Sequence, residues 1–333
     1  MSNIRKISSF VIFVCLFTSA IFAEEKQSGF GFSITPSFGM LYGQANEIVY
    51  KDSESNDYLS ELQWNITPLF YAGWAADFGP VDNFSKHGFV GTLSFKLGIS
   101  QITGIMEDMD WDDITYWWVN SGDLTNYSRH DNFSERAILA DLSLGYSFSL
   151  YNFIALGMNL DFSYMHYYWI ARDGYTQYID INTIGQTWTD GIPKTYVRGS
   201  VIEYEQNWFI LSPGIFVKFR LGRFLSINGN FFYSPLIYCA DKDEHLPTPS
   251  RTYLDYLYFG QYIKGSGGIT ISPMNNLDLA IFISYSSITD SRGDTHSRKE
   301  PSINFKIING IAGAGYSAFE FEFLVRLRFS GLS

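Results

Sequence analysis

Apolar and polar residues alternate with a period of two through most of this 333-residue chain. Between 136 and 150 one face carries Ala140, Leu142, Leu144, Tyr146, Phe148 and Leu150, and the other carries Asp141, Ser143, Gly145, Ser147 and Ser149. The segment 319–329 repeats the pattern, with aromatic and aliphatic side chains on one face and both signs of charge on the other. Because successive side chains of a strand point to opposite faces, this pattern predicts β-strands with one apolar and one polar face.

Ten segments of this kind follow one another, and the connections between them alternate in length. The segments are 28–43, 59–78, 88–106, 134–150, 152–171, 199–219, 223–240, 252–272, 276–290 and 307–329. Connections after the odd-numbered segments are long (44–58, 107–133, 172–198, 241–251 and 291–306), whereas the others are short turns such as 220–223 and 272–275. This asymmetry, with charged polar faces and aromatic residues at both ends of the apolar faces, is typical of transmembrane barrels. We therefore predict an all-β protein: a single transmembrane antiparallel β-barrel of ten strands, with long extracellular loops and short periplasmic turns.

The first 23 residues have the pattern of a secretory signal peptide. Arg5 and Lys6 precede an apolar stretch at 10–17, and small residues allow cleavage after Ala23. An N-terminal membrane anchor is disfavoured because this stretch is shorter than the roughly 20 residues with which a helix spans a bilayer. The signal peptide is therefore predicted at 1–23 and the barrel domain at 24–333, located in the cell outer membrane.

The net charge limits the class of partner, and the cysteine count limits the disulfides that the chain could form. Loss of Arg5 and Lys6 would take the formal charge from −11 to −13, which disfavours nucleic acid and favours cationic partners. Of the two cysteines only Cys239 would remain, so no intramolecular disulfide could form. We expect a monomer without a cofactor.

Two short acidic motifs, at 108–111 and 241–245, carry the candidate chemistry. In an extended chain residues two apart point to the same side, so Asp108 and Asp110 form a carboxylate pair. The same spacing relates Asp243 to His245, and an aspartate can orient an imidazole as a general base. The two pairs together could then activate a water molecule. All the candidates fall in or beside long connections, which predicts that they meet at one end of the barrel: Glu47, Asp108, Asp110, Asp241, Asp243 and His245.

The motifs resemble those of the omptins, outer-membrane endoproteases of Gram-negative bacteria. The likeness covers Asp-x-Asp-Trp at 108–111, Asp-x-Asp-Glu-His at 241–245, shorter matches at 43–50, 128–130 and 170–174, and the strand count and loop order. The resemblance implies cleavage of cationic peptides or proteins after or between basic residues, without a metal. It implies catalytic roles for Asp108, Asp110, Asp243 and His245, an acidic substrate pocket formed by Glu47 and Asp241, and supporting roles for Ser128 and His130. Activity is expected to fall in acid as the catalytic imidazole becomes protonated, near its ordinary pKa of about 6.5.

Two features depart from the family pattern. Even-numbered residues face the lumen in the third and seventh segments; Asp108 and Asp110 keep that parity, but Asp243 and His245 are odd-numbered. We therefore expect a bulge at Pro235 that reverses the parity. The basic wall residues with which omptins bind lipopolysaccharide are absent, because Phe162, Tyr164, His166 and Asn207 stand in their places. Contact with outer-membrane lipid is expected to lack that lipopolysaccharide motif.

Alternatives to a protease follow from the same residues. A non-enzymatic ten-stranded barrel could act as an adhesin or receptor that binds basic proteins with its acidic rim. A barrel lipid hydrolase is disfavoured because residues as close in sequence as Ser128 and His130 rarely form a catalytic triad. A calcium site is disfavoured because the Asp108 motif lacks the ligand spacing and the glycine of a calcium-binding loop.

Overall fold

The computed structural model describes residues 30–80, 84–111, 122–180, 183, 186–247 and 249–330. The predicted signal peptide lies outside the described residues. The strands are β1 (Phe30–Tyr50), β2 (Tyr58–Pro80), β3 (Gly88–Gly98), β4 (Gln101–Asp110), β5 (Asn126–Tyr151), β6 (Ile154–Tyr178), β7 (Thr195–Tyr196), β8 (Ser200–Leu221), β9 (Leu225–Ser234), β10 (Ile237–His245), β11 (Arg251–Tyr258), β12 (Gln261–Met274), β13 (Leu277–Lys299) and β14 (Lys306–Ser330). No helix in this part of the chain is long and apolar enough to cross a membrane.

The strands close into one antiparallel ring, because β1 pairs with β2 on one side and with β14 on the other. Three positions in the ring are each shared by two consecutive strands, namely β3 with β4, β9 with β10, and β12 with β11. The two-residue strand β7 lies against β6 outside this ring. Among the described residues the wall therefore has ten positions, which confirms the predicted ten-stranded barrel.

The wall has an apolar outer face and a polar lumen through most of its height. Side chains such as Leu144 and Ile281 are exposed on the outside. In the lumen the Lys96 ammonium lies 2.6 Å from Glu320 and 3.1 Å from Glu322. Because no water reaches the hydrocarbon of a bilayer, a closed barrel that pairs its backbone groups between strands satisfies them internally.

An aromatic row marks where the apolar outer band ends. The outward rings of Tyr164, Phe209, Tyr238 and Tyr258 follow one another with centroids 5.0, 5.9 and 5.3 Å apart. Beyond this row the outward residues are polar, as with Asn46, Glu61 and Glu205, while the inward residues become large and apolar. The part of the barrel beyond the row, which ends in the connections 51–57, 111–125, 179–199, 246–250 and 300–305, is called the loop end below.

At the loop end the strands run further than the sequence predicted. The first, third and seventh strands were expected to end at 43, 106 and 240, but β1, β4 and β10 continue to Tyr50, Asp110 and His245. The candidate residues therefore lie on paired strands rather than in loops. The prediction stopped too early because the apolar face changes from the outside to the inside of the wall, which breaks the pattern without ending the strand.

A bulge at Pro235 orients the second acidic motif, as predicted. Gly214 of β8 pairs with Phe232, and Ile210 of β8 pairs with Ile237. The segment from Phe232 to Ile237 therefore advances five residues while β8 advances four. Ser234 and Ile237 are both buried, and the inward positions change from even to odd between them. An extra residue in one strand reverses the parity of all residues that follow.

The third wall position reaches the expected parity by a less direct route. Ile102 is outward and 59% exposed, while Thr103 and Met106 are fully buried, so the inward parity changes twice between β3 and Asp108. The second change coincides with a register shift at Gly104, whose φ of +114° favours glycine. Two irregularities cancel, and Asp108 and Asp110 keep the parity that unbroken alternation predicted.

Candidate functional site

The four predicted catalytic residues lie on two wall elements at the loop end. Asp108 and Asp110 end β4, and Asp243 and His245 end β10. The two carboxylates of β4 act electrostatically on the His245 imidazole, and His245 and Asp243 act in turn on Asp108. The structure thus brings together the two pairs that sequence spacing proposed.

The Asp243–His245 pair has a defined geometry. Asp243 is only 2% exposed, and its Oδ2 lies 2.7 Å from Nε2 of His245. The ring of Tyr253 stands edge-on to the imidazole, with centroids 5.7 Å apart. Because Nε2 is engaged by a carboxylate, the other ring nitrogen, Nδ1, is the one available as a proton acceptor.

Charge around the site changes its expected ionisation. Burial opposes the imidazolium form of His245, but the carboxylates of Asp243, Asp108 and Asp110 outweigh it and raise the pKa to about 9. Burial and the neighbouring Asp110 raise the pKa of Asp108 to about 8. The expected acid limit of activity therefore moves above 6.5, the value for an isolated histidine, because the neighbouring carboxylates raise the pKa of His245.

Glu47 and Asp241, the two residues predicted to form a substrate pocket, lie in a buried acidic cluster beside the two pairs. Glu47 comes from β1 and Asp241 from β10, and Asp241 Oδ2 accepts a hydrogen bond of 3.1 Å from the Tyr204 hydroxyl. Stacked rings of Trp64, Trp169 and Tyr204 lie next to this hydroxyl, with Trp64 and Tyr204 centroids 5.3 Å apart. Burial and the nearby carboxylates raise the pKa of both Glu47 and Asp241 well above the ordinary range.

A third carboxylate, Asp255, also belongs to this buried acidic cluster and was missed from the sequence. It lies on β11 directly opposite Asp241 and is 2% exposed. Burial raises its pKa to about 7. Tyr262 and Lys264 face inwards, so strict alternation would place residue 255 on the outward face, which was predicted to be apolar. An aspartate on that face was the one sign in the sequence that Asp255 has another role.

Ser128 and His130 form a separate pair on β5. The Ser128 hydroxyl lies 3.0 Å from His130 Nε2, and His130 Nδ1 hydrogen-bonds the Asp173 carbonyl. Since a carbonyl only accepts, Nδ1 carries the proton and Nε2 accepts from the serine. Burial lowers the pKa of His130 and favours its neutral form. Ser128 is the register partner of Asp108, so the pair lies next to the carboxylates on the neighbouring strand.

The residues that replace the expected lipopolysaccharide-binding cluster lie on the outer wall and bond to one another. Asn207 Oδ1 accepts hydrogen bonds of 2.9 Å from both Tyr164 and His166, while Phe162 is exposed to the outside. His166 also lies 3.5 Å from Glu205. The patch therefore presents a phenol, an imidazole and a carboxylate where the resemblance implies basic side chains.

Fold and site together define a class: a ten-stranded membrane barrel whose loop end carries a half-buried histidine and several buried carboxylates. Comparison with known proteins identifies the family. A model of the omptin family matches residues 29–329, and the chain therefore belongs to the omptin family.

Individual relatives and a solved structure agree with the family assignment. Protease 7 of Escherichia coli O157:H7 and Protease 7 of Escherichia coli strain K12 are each 26% identical to this chain over 266 residues, covering 78% of both proteins. The crystal structure of the outer membrane protease OmpT from Escherichia coli superposes with a TM-score of 0.79 at 20% identity, covering 91% of this chain and 99% of that one. The protein is an outer-membrane protease of the omptin family.

Proposed function

We propose that this protease is an endopeptidase that cleaves polypeptides after or between basic residues, with a water molecule as the nucleophile. The observation that carries the proposal is the buried Asp243 held 2.7 Å from His245 on the strand end that also bears the acidic pocket. An oriented imidazole, a carboxylate pair and a cation-selective pocket at one end of a barrel are the groups that such a reaction needs.

In the proposed reaction His245 acts as the general base. A water molecule bound between His245 and Asp108–Asp110 transfers a proton to Nδ1 of the neutral imidazole as its oxygen bonds to the peptide carbonyl carbon. Asp243 fixes the tautomer and stabilises the resulting imidazolium. The same proton then passes to the leaving amine as the C–N bond breaks, which restores neutral His245.

The carboxylate pair has a different role in this scheme. Asp108 keeps its proton at neutral pH because burial and Asp110 raise its pKa to about 8. The pair can therefore accept one hydrogen bond from the water and donate another to the carbonyl oxygen on which charge develops. Asp110 is in turn held by the Asn126 side-chain amide at 3.2 Å. No acyl-enzyme forms in this scheme.

Selection of a basic residue follows from the pocket. Glu47 Oε2 and Asp241 Oδ1 are buried without a hydrogen-bond partner, so an entering cation would recover interactions that the free protein lacks. A planar guanidinium can donate to two carboxylates at once, which favours arginine. Because the long connections of such barrels usually face outwards, we place the site on the extracellular side.

The direct test is incubation of refolded protein with a peptide containing Arg-Arg, followed by mass spectrometry of the products. Wild type should cleave next to arginine, and His245→Ala should not, while both keep the heat-resistant compact form of a folded barrel. A folded wild-type protein that binds the peptide but leaves it intact, with and without added outer-membrane lipid, would support the adhesin or receptor alternative instead.

The pocket assignment has its own test. Glu47→Gln combined with Asp241→Asn keeps the shape of both side chains but prevents ionisation and replaces one acceptor oxygen of each with an NH2 donor. Each charged hydrogen bond contributes roughly 1.5–3 kcal/mol, so the preference for arginine over an uncharged residue should fall about tenfold or more per residue. An undiminished preference in the double variant would place the basic-residue pocket elsewhere.

A further inference from the structure

We infer that Asp255 is a third specificity-determining carboxylate of the basic-residue pocket, and that it accepts a hydrogen bond from the side chain of the substrate residue preceding the scissile bond. The inference rests on the proposed function, and it extends the pocket beyond the two residues implied by the family resemblance. It makes the pocket of this chain more acidic and gives it an acceptor on a third strand.

The placement of Asp255 is costly unless a cation arrives. Asp241 and Asp255 are register partners on β10 and β11, and both side chains are buried on the inner face. Like charges directly opposite each other on neighbouring strands are destabilising. In the part of the chain that the structure describes, no lysine or arginine forms an ion pair with Asp241, Asp255 or Glu47.

Three unused acceptor atoms converge on this pocket from three strands. Asp255 Oδ1, Asp241 Oδ1 and Glu47 Oε2 are each buried without a hydrogen-bond partner. Asp255 also acts electrostatically on Glu47 and on Asp241, which places the three groups in one cluster. A buried acceptor without a donor costs about 1–3 kcal/mol, so three of them together point to a ligand that donates.

The backbone turns Asp255 inwards by a specific device. Phe259 and Gly260 between β11 and β12 have φ values of 63° and 134°, and the inward positions change from odd to even across them. A Cβ at Gly260 would lie 2.6 Å from Ile237 Cδ1 and 2.7 Å from the Thr289 carbonyl oxygen, so only glycine fits there. Without this reversal Asp255 would face outwards.

Three acceptors suit arginine better than lysine. A guanidinium has five N–H donors in a fixed plane and can serve three carboxylates, whereas an ammonium has three donors on one compact centre. Citrulline has nearly the shape of arginine but no charge. A pocket with Asp255 should therefore discriminate arginine strongly from citrulline, and less strongly from lysine.

The test compares kcat/KM for three peptides that differ only in arginine, lysine or citrulline before the scissile bond. In Asp255→Asn the arginine-to-citrulline ratio should fall about tenfold or more, the effect of one charged hydrogen bond, while citrulline cleavage is retained. Asp161→Asn is the matched control, since Asp161 is also a buried lumenal carboxylate but lies on β6 below the aromatic row, and its ratio should equal that of wild type.

The outcomes separate the two proposals. A wild-type ratio retained in Asp255→Asn would overturn the role of Asp255 and leave the protease proposal intact. Wild type that cleaves none of the peptides, or cleaves arginine and citrulline equally, would instead defeat the proposed function. Should the asparagine variant not refold, Asp255→Ser serves as the second variant. Asparagine keeps an acceptor oxygen for the Thr295 side chain and removes the repulsion between Asp255 and Asp241, so Asp255→Asn should not lower the urea midpoint of the ligand-free barrel. A clear loss of stability in both variants would show that Asp255 is structural.

Discussion

Replacing Asp243 with asparagine is the sharpest probe of the catalytic arrangement, because it should shift the acid limb of the activity profile to lower pH and also lower the plateau rate. The Asp243 carboxylate lies 2.7 Å from His245 and, after the opposing effect of burial, is the main cause that raises the pKa of this histidine to about 9. A hydrogen bond between charged groups contributes roughly 1.5–3 kcal/mol. At 1.36 kcal/mol per pH unit, its loss should lower the pKa by about one to two pH units.

The sign of the effect follows from which form the carboxylate stabilises. Asp243 favours the imidazolium, so activity of wild type should rise with pH below about 8 as neutral His245 accumulates. It should level off above about 8, where Asp108 begins to lose the proton that it donates to the carbonyl oxygen. In Asp243→Asn the neutral base exists at lower pH, and the acid limb should shift downwards. The plateau rate should nevertheless fall, because asparagine no longer stabilises the imidazolium and can hold the wrong tautomer; in Ser–His–Asp triads the same change costs roughly 10⁴-fold.

The assay is kcat/KM for one Arg-Arg peptide measured across pH 5 to 10 on refolded, homogeneous barrels. Glu244→Gln is the matched control, since Glu244 is adjacent in sequence but points outwards, paired with Lys242 at 2.5 Å. Its profile should match that of wild type. Coinciding acid limbs in wild type and Asp243→Asn would refute the reasoning, because Asp243 would then not control the proton on His245.

Further predictions concern nucleophile, topology and stability. Ser128→Ala, like a metal chelator or a serine-directed acylating reagent, should leave most of the peptidase activity, because the Ser128 hydroxyl bonds to a histidine on its own strand; complete loss would contradict the water mechanism. A cysteine introduced at Glu54 should react with an impermeant thiol reagent in intact cells, and a cysteine introduced at Arg223 should not. The native Cys239 is buried, so the background reaction should be low, and the reverse labelling pattern would show that the barrel has the opposite orientation. Lys96→Met should lower the free energy of unfolding by about 3–5 kcal/mol in urea titrations, since it removes the cation that contacts both Glu320 and Glu322. An unchanged midpoint would exclude that role.

Much of the architecture was predictable because it depends on local periodicity. Alternation between 136 and 150, and the contrast between a short turn at 220–223 and the long connections, already indicated a ten-stranded membrane barrel. The chemistry at 108–111 and 241–245 was also readable, since residues two apart on a strand share a face wherever the strand lies. The bulge at Pro235 could also be expected, because even-numbered residues of the seventh segment face the lumen whereas Asp243 and His245 are odd-numbered.

Other features were decided by contacts between strands. The predicted strand ends were too short because outward and inward faces exchange character at the loop end, where Trp64 and Tyr204 are buried and Glu61 faces outwards. Whether the outward face is apolar or polar depends on the height of a residue relative to the membrane. A period-two pattern in the sequence does not contain that height. Asp255 was missed for a related reason: the reversal at Phe259–Gly260 is a backbone conformation set by packing against Ile237 and the neighbouring strand.

The sequence by itself determined the fold, the family resemblance and the pairing of residues two positions apart, because all three follow from order along one chain. The tertiary structure decided which carboxylates share a pocket and how strongly they hold protons. His245 differs from an isolated histidine through its burial, through Asp243 on its own strand, and through Asp108 and Asp110 on another. Electrostatic interactions depend on distance and burial in space, and closure of the barrel brings together charges that are more than one hundred residues apart in the chain.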